Sequence, residues 1–413
     1  MLANPTRVVG TLALGVLLVL PIATHSQEPT AMNSENTSSG ELEEPALQLP
    51  LVNVAPGPEY ADSTRIFQGI PGLERAPGGR LWATWYSGGD TEGPLNYVLL
   101  VTSGDNGRTW SSPRLVIDPP GSVRAFDPCL WHDPGGRLWL FWAQSYSWFD
   151  GRAGVWAIVT EESGSENPTW SAPRRLCDGV MMNKPVVLST GEWVLPAAVW
   201  QVGLVNLMDC AFCRDPGGAC GTNAVASSDH GETWEILGQA DVPGRACDEH
   251  HIVERRDGSL WMLVRTNYGV GESFSTDRGR TWTPGRQSST VTHIPSARFF
   301  VRRLQSGRLL LVKHDPPDGK TRSHLTAYLS EDEGELWQGG LRIDEREGVS
   351  YPDGVESPEG VVYIIYDYSR TGAKQILMAT FTEADILDGS FASDRACSRI
   401  LVNQATGVAP NKP

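Results

Sequence analysis

From about residue 60 to residue 400 the apolar positions come in short alternating runs, cut at intervals by glycine turns. Six segments join such a turn to a period-two run: GGRLWATW from Gly78, GGRLWLFW from Gly135, TGEWVLPA from Thr190, DGSLWMLV from Asp257, SGRLLLVK from Ser306 and EGVVYIIY from Glu359. Alternation of this kind puts successive side chains on opposite faces of a strand, and the glycine turn before it makes each segment the second half of a hairpin. Another strand-like run precedes each, such as IPGLER or SARFFVRR. No long segment carries a helical period. The six repeats lie about 50–65 residues apart, the length of one four-stranded sheet each. The pattern predicts an all-β, six-bladed β-propeller over residues 51–405, with the first strand of every blade lining the central axis.

A second, shorter repeat lies between the hairpins. SGDNGRTW from Ser103, SSDHGETW from Ser227, STDRGRTW from Ser275 and SEDEGELW from Ser330 share Ser-x-Asp-x-Gly-x-x-Trp, and SENPTW ending at Trp170 is a degenerate fifth copy. The Ser and Asp side chains can bond backbone N–H groups inside a turn, Gly can take a positive φ, and Trp can pack beneath. This is a fastener for hairpins, not a catalytic device.

Composition refines the picture at the ends and in the charge. The N-terminus has a basic residue, Arg7, an apolar stretch from Val8 to about Ala23, and small residues around Thr24-His25-Ser26. This reads as a signal peptide over residues 1–26, too short for a comfortable bilayer span, with a membrane anchor as the alternative. Residues 27–50, rich in Glu, Ser, Asn and Thr, read as a disordered tether. The protein is therefore expected to be exported, periplasmic or secreted, with no stable membrane insertion once the signal is removed. The net charge of −15 and the absence of a Lys/Arg run argue against a nucleic-acid partner. Seven cysteines are present, four of them (Cys210, Cys213, Cys220 and Cys247) in one region. Structural bridges suit an exported chain, and a zinc site is the competing reading. The histidines do not fall at metal-ligand spacing, and the sequence points to no cofactor. It leaves the oligomeric state open.

The residues just before the hairpins carry the candidate chemistry. They are Gln68 and Gly69 in the first repeat, Asp127 in the second and Asn183 with Lys184 in the third. The fourth offers Asp248, Glu249 and His250, the fifth Ser296 and Arg298, the sixth Ser350, Tyr351 and Asp353. Five of the six sites place an ionisable group where strands converge on a crowded axis, a costly arrangement unless it is used.

The Ser-x-Asp-x-Gly-x-x-Trp turns are Asp boxes, and together with the hairpin pattern they resemble the sialidase (neuraminidase) superfamily over nearly the whole chain after the tether. CDEHHIVERRDGSLWMLVR resembles the family's Glu-to-Arg stretch, with Glu249 and Arg265 in those places; TRSHLTAYLSEDEGELW aligns Arg322 with the next family arginine. SYPDGVESPEGVVYIIYD puts Tyr351 where the family has its nucleophile. ATWYSGGDTEGPLNYV offers Asp90 as the acid/base, with Glu92 as a stand-in. One element departs: the family's first arginine precedes Ile-Pro, and here IFQGIPGLE has Gln68 and Gly69 there, with Arg65 out of phase.

The resemblance implies an exo-acting, retaining glycoside hydrolase for a terminal acidic sugar, sialic acid first among them. Tyr is the nucleophile suited to an anomeric centre that already carries a carboxylate, because a carboxylate nucleophile would meet like charge. Tyr351 would attack with Glu249 as its base, and Asp90 would serve as acid/base. Arg265 and Arg322 would hold the substrate carboxylate, with Gln68, Asp127, Lys184, Arg298 and His250 as further substrate-binding candidates. With Gln68 and Gly69 in place of an arginine, a roomier floor is expected. A hydrolase or lyase for uronic-acid-containing or other acidic glycans, and a non-catalytic glycan-binding propeller, are the competing readings.

Overall fold

The computed structural model describes residues 44–200, 212–245 and 247–409. Its strands form six antiparallel sheets, each laid down in chain order from the inside outward. The innermost strands are Gln68–Arg75, Val123–His132, Val186–Val187, His251–Glu254, Phe300–Arg303 and Val349–Glu356. Five sheets have four strands; the first gains a short fifth, Val52–Asn53, on its outer edge against Leu115–Ile117. The architecture is the six-bladed β-propeller that the repeats predict. Its one α-helix among the described residues, Glu383–Asp388, is a short connection within blade six, closed by a Thr382 capping box.

Alternation explains why the blades stack in a ring. Each sheet buries both faces, and six separate apolar clusters fill the six interfaces. Trp82 and Leu100 meet Leu140 and Trp142 between blades one and two. Trp139 and Phe141 meet Trp193 and Leu195 between two and three. Leu81 and Val101 meet Ile365 and Met378 where blade one closes on blade six. The remaining three interfaces follow suit. Closure is reinforced by Arg65, buried, whose guanidinium donates to Asp62, to the Tyr60 carbonyl and to Asn403 of the last strand.

The Asp boxes sit between third and fourth strands, on the outside of the ring. In the first, Gly107 N–H donates to Ser103 Oγ (2.9 Å), Thr109 N–H to Asp105 Oδ1 (2.9 Å), and Trp110 Nε1 to the Gly107 carbonyl (3.2 Å). Asn106 and Gly107 both take positive φ, as do their counterparts in the other three boxes. The degenerate copy keeps only part of this: Glu162 replaces the Asp by accepting from Thr169 N–H, and Trp170 lies edge-on to Trp82.

Of the two N-terminal expectations, only the end of the tether falls among the described residues. The signal peptide and tether up to residue 43 lie outside the described residues. Residues 44–50, read as the end of the tether, instead dock on blade two: Gln144 donates to the Ala46 and Gln48 carbonyls, and Glu44 pairs with Arg152 and Arg214. Cys213 is disulfide-bonded, while Cys220 and Cys247 are free thiols. Cys210 lies outside the described residues.

Three buried histidines stitch neighbouring blades by donating Nε2–H to a carbonyl: His250 to Asn223, His251 to Phe299 and His314 to Val349, each at 2.9 Å. Burial lowers their pKa to about 4, 3 and 4. A depressed histidine favours the fold while neutral, and that contribution is lost as pH falls below the unfolded value near 6.5. Buried acids with raised pKa act in the opposite sense, so the test isolates one group. His251→Gln keeps a donor without the titration. Its thermal midpoint should fall less than that of the wild type between pH 6.5 and 4.5; parallel curves would contradict the neutral-staple role.

Candidate active site

The inner strands of blades one, two and six share a local irregularity. Each contains a register shift at an X-Pro pair: Ile70-Pro71, Asp127-Pro128 and Tyr351-Pro352. Proline has no N–H for the ladder, so pairing lapses there and the strand bulges. The residue before each proline takes a positive φ (58°, 48° and 55°), a strained conformation of order 1 kcal/mol or more for a side chain of this kind. The bulges turn Asp127 and Tyr351 into a cavity of about 210 Å³ at one end of the axis. On blade four the consecutive residues Cys247, Asp248 and Glu249 all have positive φ, and this turn delivers Glu249 to the same cavity.

Widely separated residues meet there. Tyr351 Oη donates to Glu249 Oε1 at 3.0 Å, and Arg265 Nη1 donates to the same oxygen at 2.5 Å and lies 3.4 Å from Tyr351 Oη. Glu249 Oε2 is buried without a partner among the described residues. Burial, then the Glu249 charge, pushes the Tyr351 phenol well above its ordinary pKa against the opposing pull of Arg265. Without a ligand, Tyr351 is therefore a neutral phenol hydrogen-bonded to a carboxylate. Arg322 stands 5.8 Å from the Tyr351 ring, its Nη2 donating to the Ser296 carbonyl.

The roomier floor expected at Gln68-Gly69 is not there. Arg370, on the turn after the second strand of blade six, runs over Gly69. A Cβ at residue 69 would lie 2.3 Å from Arg370 Cδ and 2.6 Å from Cγ. The missing side chain on blade one is the space a side chain from blade six occupies, and a third guanidinium reaches the cavity 5.3 Å from the Tyr351 ring. Arg370 also forms an ion pair with Glu92.

Several sequence candidates are used elsewhere. Gln68 is buried outside the cavity, accepting from Trp85 Nε1 and donating to the Lys374 carbonyl. Lys184 lies deeper on the axis, bonded to the Leu73 and Leu130 carbonyls and to Glu74. Arg298 is fully buried between Asn183, the Met182 carbonyl and Asp353. His250 is the blade staple described above. For Lys184 and Arg298 the reason is that carbonyls of the inner strands face a dry axis and these donors satisfy them, whereas Gln68 and His250 satisfy carbonyls away from the inner strands. Asp90 is exposed on its loop and outside the cavity lining, whereas Glu92 of the same loop lines it, drawn in by Arg370.

Asp127 lines the cavity without a hydrogen bond to any described residue. Burial raises its pKa to about 8; Arg124 opposes the shift, and Glu92 and Glu249 add to it. Tyr86, Arg124, Trp148 and Trp200 also form the wall and were not among the sequence candidates. Arg370 and Glu92 both follow the second strand of a blade, so the ends of second strands, and not only the starts of first strands, reach the mouth.

Residues 79–364 match the family described as BNR repeat-like domain. A sialidase of Bacteroides fragilis is 23% identical over 292 residues, covering 62% of this chain and 51% of the relative. A sialidase of Micromonospora viridifaciens is 23% identical over 385 residues, covering 83% of this chain and 57% of the relative. The chain thus spans about half the length of these two relatives. Among solved structures, a Hadza microbial sialidase superposes with a TM-score of 0.62 at 20% identity, covering 79% of this chain and 67% of that one, which is a likeness of fold. With the matched segment running from the second strand of blade one into blade six, the chain belongs to the BNR repeat-like family and is a sialidase-like BNR propeller.

Proposed function

We propose that the protein is an exo-acting, retaining glycoside hydrolase that removes a terminal acidic sugar, with sialic acid the substrate the site fits best. The observation that carries this reading is the 3.0 Å contact between Tyr351 Oη and Glu249 Oε1, set within reach of the guanidinia of Arg265, Arg322 and Arg370.

The substrate carboxylate lies on the guanidinia, which match its planar geometry. Tyr351 Oη attacks the anomeric carbon as Glu249 takes its proton, and the bond to the leaving oxygen breaks. A neutral phenol approaches that carbon without the repulsion a carboxylate would meet. The leaving oxygen takes a proton from Asp90. Asp90 then removes a proton from the water that displaces Tyr351, and Glu249 returns the phenolic proton. Two displacements give retention. Asp90 is assigned this role because it is exposed at the loop and pairs with no cation among the described residues, while Glu92 is committed to Arg370. That same pair occupies one clamp guanidinium, which favours, as the second reading, a different acidic sugar such as a uronic acid. A panel of aryl glycosides of sialic and uronic acids separates the two.

Tyr351→Phe should lower turnover by on the order of 10³-fold while substrate binding and folding persist, measured by steady-state kinetics and calorimetry. Full activity in this variant would refute the mechanism.

Gly69→Ala places a methyl group against Arg370 and should weaken acidic-sugar binding by about tenfold, as loss of one charge-assisted contact does. Its thermal midpoint should fall as well, because the same methyl would lie 2.9 Å from Oδ2 of the buried Asp367, so affinity is compared on folded protein. Unchanged affinity would remove Arg370 from the clamp.

Asp90→Asn should lose far more activity on a substrate with a poor leaving group than on an activated aryl glycoside, since only the former needs the acid. If Glu92→Gln shows that pattern and Asp90→Asn does not, Glu92 is the acid.

A further inference from the structure

The clamp and the Tyr–Glu pair leave one strong charge in the cavity without a task. Arg124, on the inner strand of blade two, is 3% exposed and lines the same cavity. Its guanidinium carbon stands 3.7 Å from the Phe126 ring centroid and 5.2 Å from that of Trp148, so aromatic faces on two segments fix its plane. Yet among the described residues Nε and Nη1 are buried with no hydrogen-bond partner, and no carboxylate pairs with the guanidinium. The contrast with its neighbours is sharp: Arg265 is bound to Glu249 and Arg370 to Glu92. A guanidinium held rigidly, taken out of water and left without an acceptor is costly unless a ligand supplies the acceptor. Asp127, three residues along the strand, makes no ion pair with it, and burial raises that carboxyl's pKa to about 8.

We infer that Arg124 is a specificity residue for a second anionic group, so that the preferred substrate is an acidic sugar carrying a sulfate ester in addition to its carboxylate. The inference rests on the acidic-sugar reading above and narrows it. The carboxylate lies against Arg265, Arg322 and Arg370; the sulfate lies on the blade-two wall, where its oxygens accept from Arg124 and from protonated Asp127. A monoanionic sugar leaves Arg124 unsatisfied. No covalent step is involved: the group is recognised, not cleaved.

The test is calorimetric titration of the full chain with the 2,3-unsaturated glycal of N-acetylneuraminic acid and with its singly O-sulfated forms, at one fixed salt concentration. At least one sulfated form should bind the wild type roughly tenfold or more tighter than the parent, the size of one charge-assisted bond. Arg124→Met keeps the apolar stem over Phe126 and should abolish that preference, so that sulfated and parent glycals bind alike. Parent binding as tight as every sulfated form in the wild type would overturn the proposal and leave the acidic-sugar reading standing. A preference that survives in Arg124→Met would also overturn it. Binding of neither glycal class would overturn the acidic-sugar reading and the subsite with it.

Discussion

The propeller depends on a buried polar axis. Six inner strands converge there, and their carbonyls cannot all find partners in a ring of sheets that pair only within themselves. Two cations resolve this. Arg298 from blade five donates to Asn183 and the Met182 carbonyl of blade three and lies 3.5 Å from Asp353 of blade six. Lys184 from blade three donates to the Leu73 carbonyl of blade one and the Leu130 carbonyl of blade two, and pairs with Glu74 and Asp353. Five of the blades are tied by these two side chains. Because Asp353 pairs with both cations, only their joint removal would leave it buried without a counter-charge, a cost of roughly 3–5 kcal/mol. The registration of the blades, and hence every distance at the mouth, follows from this plug.

Above the plug the strands are irregular by design of their sequence. Ile70-Pro71, Asp127-Pro128 and Tyr351-Pro352 break their ladders at the same depth, and the strained residue in the last two is one that faces the cavity. The apolar clusters between blades are extensive enough to hold such conformations, each a small fraction of the burial that flanks it. Rigid aromatic and ionic neighbours then fix the side chains: Tyr351 by Glu249 and Arg265, Arg124 by Phe126 and Trp148.

The fold was legible because it rests on local periodicity: glycine turns, alternating strands and Ser-Asp-Gly-Trp fasteners each declare themselves within ten residues. Tyr351, Glu249, Arg265 and Arg322 could be placed together by motif. Arg370 could not, because it comes from a different blade and a different strand end from the arginine it replaces. The signal was present as Gly69, a position stripped of its side chain. Lys184 and Arg298 misled for a physical reason as well. A charged residue at the start of an inner strand points either up into the mouth or down into the axis, and one residue of register decides which. Asp127, one blade away, went the other way.

The central claim is that Tyr351 carries the sugar between the two displacements. A 2,3-difluorinated sialyl fluoride slows both steps through its electron-withdrawing ring fluorine, and its good leaving group lets the first outrun the second. Intact mass followed by peptide mapping of the inactivated protein should find one sugar equivalent bound, on Tyr351. A sialoside turned over with no such adduct, or an adduct on Glu249 or Asp127 instead, would contradict it.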